Sequence, residues 1–185
     1  MKRVLFFLLL SVSGLSVLEA QYLSGFSARY DDDLSEWLVY PESEDFPECN
    51  IRCRWQIRQD PGEWDFRMGD TFGTIRTKWR DRYDDWEVIG DNQITRIRMV
   101  WPGDPREWRI ESSAGEYVIQ MEYNQPGSDW IVEKDRKVIF RCRTVYQNDI
   151  RDWITEDDLP EDEHFNTRVG LVFAVIISNV LAGMR

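Results

Sequence analysis

Between residues 22 and 157 apolar and polar positions alternate, and the alternation is phased by tryptophan. Trp37, Trp64, Trp86, Trp108, Trp130 and Trp153 are separated by 27, 22, 22, 22 and 23 residues, and each has an apolar or β-branched residue two positions on. That spacing puts both side chains on one face of a strand. Turn chemistry stands just upstream, in Asp60-Pro61-Gly62, Asp84-Asp85, Pro102-Gly103-Asp104-Pro105, Pro126-Gly127 and Asn148-Asp149. Counting back 13, 11, 9 and 7 positions from the second to the sixth Trp gives Ile51, Cys53, Trp55, Ile57; Gly73, Ile75, Thr77, Trp79; Thr95, Ile97, Met99, Trp101; Tyr117, Ile119, Met121, Tyr123; and Phe140, Cys142, Thr144, Tyr146. No charge falls on these positions, whereas the alternate ones hold Arg52, Arg54, Arg76, Lys78, Arg96, Arg98, Arg141 and Arg143. This is a dry face and a wet face with period two. The first unit keeps the pattern more loosely, with Phe26, Ala28 and Tyr30 before an acidic Asp31-Asp32-Asp33 loop. Six hairpins, or about twelve antiparallel strands, are predicted.

A second pattern closes the chain. Residues 170–183 read GLVFAVIISNVLAG, apolar on all sides apart from Ser178 and Asn179. Fourteen helical residues rise about 21 Å, short of a hydrocarbon core of about 30 Å, so this helix is expected to be surrounded by protein. A sheet with one dry face sheds its edges by closing, and twelve strands leave room inside for a helix. The predicted fold is therefore all-β: a twelve-stranded antiparallel closed barrel around a central hydrophobic C-terminal α-helix. That helix is placed at about residues 161–184, with Pro160 and the acids of residues 161–163 at its start and Arg185 at its end.

Residues 1–20 read as a secretory signal: Lys2 and Arg3, an apolar run from Val4, then Ala20 before Gln21. Export to a secreted or periplasmic location is expected, with an anchor through residues 4–18 as the rival. Residues 21–185 then form one domain.

Six Trp-marked hairpins closed on a hydrophobic C-terminal helix resemble the tubby C-terminal-domain plan, shared with phospholipid scramblases and LURP-one-related proteins. The repeated W-x-[VIF] strands and the final GLVFAVIISNVLAG segment after WITEDDLPEDE carry the resemblance; LURP-one-like proteins are the nearest in style. In the tubby branch basic surface residues hold phosphoinositide headgroups. The resemblance thus implies a lipid-headgroup role for Arg52, Arg54, Arg76, Arg96, Arg98, Arg141 and Arg143.

Composition narrows the choices further. One His and three Cys leave little material for a zinc cluster, a His-based triad or a disulfide scaffold. The net charge of −11, which becomes −12 without residues 1–20, disfavours nucleic acid and attraction to an anionic membrane. The Arg-rich face reads more simply as solvated strand paired with acids such as Asp65, Glu87 and Glu111. The acidic runs are expected to be solvated loops rather than calcium sites. The Trp series is expected to pack the core rather than present a carbohydrate platform, and Trp55 shares its inward phase. Buried thiols are expected at Cys49, Cys53 and Cys142, with Cys49 to Cys142 as the one disulfide to check. His164 is expected to cap or face solvent, and Asn179 to make a structural hydrogen bond. No catalytic, cofactor-binding or metal-ligating residue is assigned and no cofactor is expected. The function expected is a monomeric, non-enzymatic binding or structural module with an unknown protein or lipid partner. The alternative is a phospholipid-surface protein acting through the basic strand face.

Overall fold

The computed structural model describes residues 22–42, 49–55, 57, 60–123, 125 and 127–184; residues 1–20, expected to be a secretory signal, and Arg185 lie outside them. Among the described residues the strands are β1 (Leu23–Ala28), β2 (Glu36–Pro41), β3 (Cys49–Cys53), β4 (Glu63–Met68), β5 (Thr71–Thr77), β6 (Asp85–Gly90), β7 (Gln93–Trp101), β8 (Asp104–Glu111), β9 (Glu116–Met121), β10 (Trp130–Lys134), β11 (Lys137–Thr144) and β12 (Asp152–Asp157). Each pairs antiparallel with its neighbours in sequence, and β12 pairs β1, so the sheet is a closed barrel. The expected hollow is occupied. Helix α1 (Phe165–Gly183) runs through it, with Val169 and Leu171 through Ile177 fully buried.

Register follows the dry face. Trp86 faces Ile97 across β6–β7, Ile97 faces Ile110 across β7–β8, and Ile110 faces Tyr117 across β8–β9. The helix meets this lining through Phe173, whose ring lies 5.5 Å from Trp64 and 5.0 Å from Trp86, both edge-on. Burying such side chains contributes about 1.5–3 kcal/mol each. Gly73 marks the tightest approach: a Cβ there would stand 2.2 Å from the Ile89 carbonyl and 2.5 Å from the Phe66 ring.

Six Trp residues lie in the even strands as expected, but they do more than fill the core. The indole Nε1 of Trp37, Trp64, Trp86, Trp108 and Trp153 donates to the carbonyl three residues earlier, at 2.7–3.0 Å. A buried indole N–H needs an acceptor, and here the acceptor is the base of the hairpin loop. Each ring therefore ties its own loop to the barrel.

Alternation of direction puts all six hairpin loops at one rim. These loops have seven to nine residues, except for the two between β7 and β8. At the other rim β4–β5, β6–β7 and β10–β11 are joined by two residues each. Asp91-Asn92 and Asp135-Arg136 take the positive φ that two-residue hairpins require. Helix α1 enters at this tight rim and ends at the hairpin rim.

The helix is longer than the apolar run and starts later than expected. It begins at Phe165 rather than near residue 161. His164, in extended conformation, caps it by accepting from Asn166 N through Nδ1 at 3.2 Å, and its first turn holds no acid. Residues 160–163 form a turn before it, because the Glu163 side chain is drawn into the barrel. An 18-residue stretch of this helix, with a mean hydropathy of 1.6, satisfies the length and composition of a membrane span, yet 83% of that stretch is buried inside the protein. Ser178 accepts from Trp108 Nε1 at 2.8 Å, and Asn179 donates to Val175 O at 3.0 Å, so both polar residues are structural.

Candidate functional site

The hairpin rim carries the features least explained by folding. Trp55, Trp79, Trp101, Tyr123, Tyr146 and Tyr30 are all exposed there, Trp79 at 54% and Trp101 at 62%. These side chains had been expected on the dry face, and the inward phase is indeed theirs. The strands, however, end at or before them: β3 at Cys53, β5 at Thr77, β7 at Trp101, β9 at Met121 and β11 at Thr144. Beyond those points the helix is finishing, and an inward-phased ring has no core to pack on. The aromatic crown was visible as Tyr30, Trp79, Trp101, Tyr123 and Tyr146 at the same offset before each Trp. What hid it was the assumption that phase continues to mean burial after the ladder stops.

Between the β1–β2 and β3–β4 loops, beside Trp55, lies a depression of about 710 Å³. Asp32, Asp33 and Ser35 form one wall, Arg52, Arg54 and Trp55 the other, and Val180, Gly183 and Met184 at the helix end close its base. Asp33 is held in place by Ser35, whose N–H and hydroxyl both donate to it at 2.8 Å. A smaller depression of about 400 Å³ lies between Tyr83, Met99, Gly103 and Leu181.

The rim's charges are largely turned on one another. Arg82 clasps Asp84 through Nε at 3.1 Å and Nη2 at 2.6 Å. Arg151 clasps Asp149 at 2.8 and 2.7 Å, and Arg106 Nε reaches Asp104 at 2.7 Å. Hydrogen bonds from these guanidinium groups hold the Asp84 and Asp149 carboxyls below the usual carboxylate range. Trp101 Nε1 donates to Glu107 at 2.8 Å, and Lys78 Nζ lies 6.0 Å from the Trp79 ring centroid.

The seven arginines assigned a headgroup role lie on the outer face or at its upper edge, interleaved with acids. Arg54 pairs with Glu63 and Asp65, Arg76 with Glu87 at 3.5 Å, Arg96 with Asp85 at 2.6 Å, and Arg98 with Glu111. Arg141 bonds Asp129 at 2.8 Å, and Arg143 faces Glu156 at 3.5 Å. Arg52 stands in register between Glu36 and Asp65. The structure distributes these groups around the barrel in cross-strand pairs and does not bring them together as one basic patch.

The opposite rim is a sealed polar cluster. Arg168 and Asp157, each with a side chain only 1% exposed, pair at 2.8 Å. The guanidinium also donates to the carbonyls of Glu163, Leu159 and Pro160 and stacks 5.1 Å from the Tyr22 ring. Glu163 accepts from Tyr117 Oη at 2.5 Å and Thr167 Oγ1 at 2.8 Å. Burial raises the Asp157 carboxyl, with Arg168 pulling against it. Burial, helped by Glu163, pushes the Tyr117 phenol far up.

Cys49, Cys53 and Cys142 are buried thiols, with no disulfide between Cys49 and Cys142. Desolvation pushes the Cys53 thiol up to about 11 and that of Cys142 higher still, so neither is a thiolate nucleophile near neutrality. Among the described residues no group of three or more His, Cys, Asp or Glu side chains converges on a point where a metal would sit. Comparison with family models, with curated proteins and with solved structures finds no match for this chain.

Proposed function

We propose that this protein is a non-enzymatic binding module that meets its ligand at the hairpin rim. The carrying observation is the separation of two aromatic sets within the same hairpins. Trp37, Trp64, Trp86, Trp108, Trp130 and Trp153 are buried, while Trp55, Trp79 and Trp101 with three tyrosines stand in solvent on one rim. Exposed Trp and Tyr offer large rigid contact area at little entropic cost, and loops anchored to a closed scaffold are where binding residues concentrate. The interior is taken by α1, which leaves the surface to do the work. Kinship with the tubby and LURP-one-related plan is part of this proposal and rests on the shared arrangement of twelve strands around a C-terminal helix. Export is part of it too, and rests on the residue pattern of 1–20.

The phospholipid reading through the outer face is the weaker one, because its guanidinium groups already have carboxylate partners and the chain is strongly acidic. Flotation with phosphatidylcholine vesicles containing a phosphoinositide, at low salt, separates the two. The rim reading expects the protein to stay unfloated. Flotation that disappears in Arg76→Gln/Arg96→Gln/Arg98→Gln and persists in Trp79→Ala/Trp101→Ala would replace it with the outer-face reading.

A further inference from the structure

We propose that the hairpin rim binds an uncharged oligosaccharide, with one sugar ring lying against Trp55 in the depression and later rings reaching neighbouring rim aromatics. The inference rests on the rim being the binding surface and adds the class of ligand.

The depression beside Trp55, at about 710 Å³, is within the size range of small-ligand sites. It brings Trp55 together with Asp32, Asp33, Arg52 and Arg54, so a large aromatic side chain is flanked by acceptors and donors. A sugar ring presents a C–H face for the indole and an edge of hydroxyls, each both donor and acceptor. The charges around the rim favour a neutral ligand. Arg82 and Arg151 are folded back on carboxylates of their own loops and Arg106 on Asp104 of its own strand, and a charged partner would have to break those pairs. Polyphosphates and an anionic leaflet are both opposed by the net charge.

The distribution of the aromatics argues against a protein surface. Protein hot spots cluster near the centre of a patch. Here the centre is the helix end, and the rings stand on separate loops around it. Neighbouring hairpins are two strands apart, so the aromatics recur at about 10 Å along the rim. A linear chain of sugar rings spans that interval and engages a second platform without a second binding event.

The test is titration of the full chain with uncharged gluco-, manno-, xylo- and N-acetylgluco-oligosaccharides of increasing length, read by tryptophan emission and by affinity electrophoresis. At least one series is expected to bind, with affinity rising about tenfold or more from short to long chains and changing little with added salt. Trp55→Ala should weaken binding about tenfold and Trp79→Ala or Trp101→Ala about threefold. Trp55→Phe should retain most of it, and Phe72→Ala, an exposed ring outside the hairpin loops, should change nothing. No binding by any series, collapse of binding with salt, or equal damage from Phe72→Ala overturns the proposal. Phosphatidylcholine vesicles and an Arg/Lys-rich peptide serve as comparison probes. If one of these binds through the same tryptophans and no sugar does, the rim reading stands and the sugar inference falls. If no probe responds to the rim variants, both fall.

Discussion

The two rims of this barrel are built from the same twelve strands and treat polar and aromatic groups in opposite ways. At the sealed rim, connections of two residues predominate, and beneath their exposed turn charges one charged cluster is buried and multiply bonded. Arg168 is held by Asp157 and three carbonyls, and Glu163 by hydroxyls from β9 and α1. At the hairpin rim the loops are long, the charges pair in solvent, and large rings are left uncovered. A closed sheet has no edge strand to offer a partner, so pairing of that kind is shut off here. One end receives the helix and locks it; the other is held by the indole ties at the loop bases and by loop side chains such as Leu34, Ile57, Tyr83 and Ile150 that pack on the core. Under the proposed function, folding falls to one rim and recognition to the other, and substitutions at the two should differ in the size of their effects.

The largest concerns the Arg168–Asp157 pair. Removing one partner of a buried, hydrogen-bonded ion pair costs about 3–5 kcal/mol. Arg168→Ala strands the Asp157 carboxylate and three carbonyls in the interior, and a loss of that size in urea unfolding is expected. Replacing both residues by apolar ones, as in Arg168→Met/Asp157→Leu, should recover part of the loss, since no lone charge remains. If Arg168→Ala unfolds within about 1 kcal/mol of the parent protein, the sealed rim is not the structural end and the comparison breaks.

The sequence exposed the barrel more readily than the crown, for a physical reason. Closure was legible because a strict two-residue alternation ran through consecutive hairpins, and because the terminal apolar segment needed an enclosure. The buried tryptophans were legible for the same reason. Arg168 gave no such signal: a cation one turn into the helix reads as surface, and only the three-dimensional meeting with Asp157 and Tyr22 makes it core. The exposed rings at Trp55, Trp79 and Trp101 carried the right phase and the wrong burial, because periodicity reports direction and says nothing about where the ladder ends. The indole-to-carbonyl ties over three residues were readable in principle, since a turn stands at that spacing before each Trp.

A smaller effect sharpens the comparison from the other rim. The triple substitution Trp55→Ala/Trp79→Ala/Trp101→Ala removes three large side chains that pack on little, and exposed substitutions usually stay within about 0.5 kcal/mol each. Its thermal midpoint should lie close to the parent's while ligand capture is lost. Trp86→Ala, by contrast, empties a core site against Phe173 and is expected to cost about 3–5 kcal/mol. A triple variant as unstable as Trp86→Ala would mean that the crown is a structural layer, and the division of labour between the rims would be lost.

The smallest effect is a difference of sign in acid. Asp84 and Asp149 have carboxyls lowered by Arg82 and Arg151, so their contribution to stability is present above the ordinary value of 3.8 and is lost as pH falls through the lowered one. Asp157 is raised by burial. Its folded state holds the proton more tightly than the unfolded chain does, so its contribution is fully present below 3.8 and fades as pH rises through the raised value. Unfolding free energy measured from about pH 6 to about pH 2 should therefore fall less steeply in Asp84→Asn/Asp149→Asn than in the parent protein, and more steeply in Asp157→Asn. The slope is the readout, because Asp157→Asn also lowers stability throughout. The exposed pairs are screened by solvent, so the flattening at the hairpin rim will be slight. Equal slopes in all three proteins would show that the rims respond to protons alike, and the electrostatic part of the contrast between them would have to be given up.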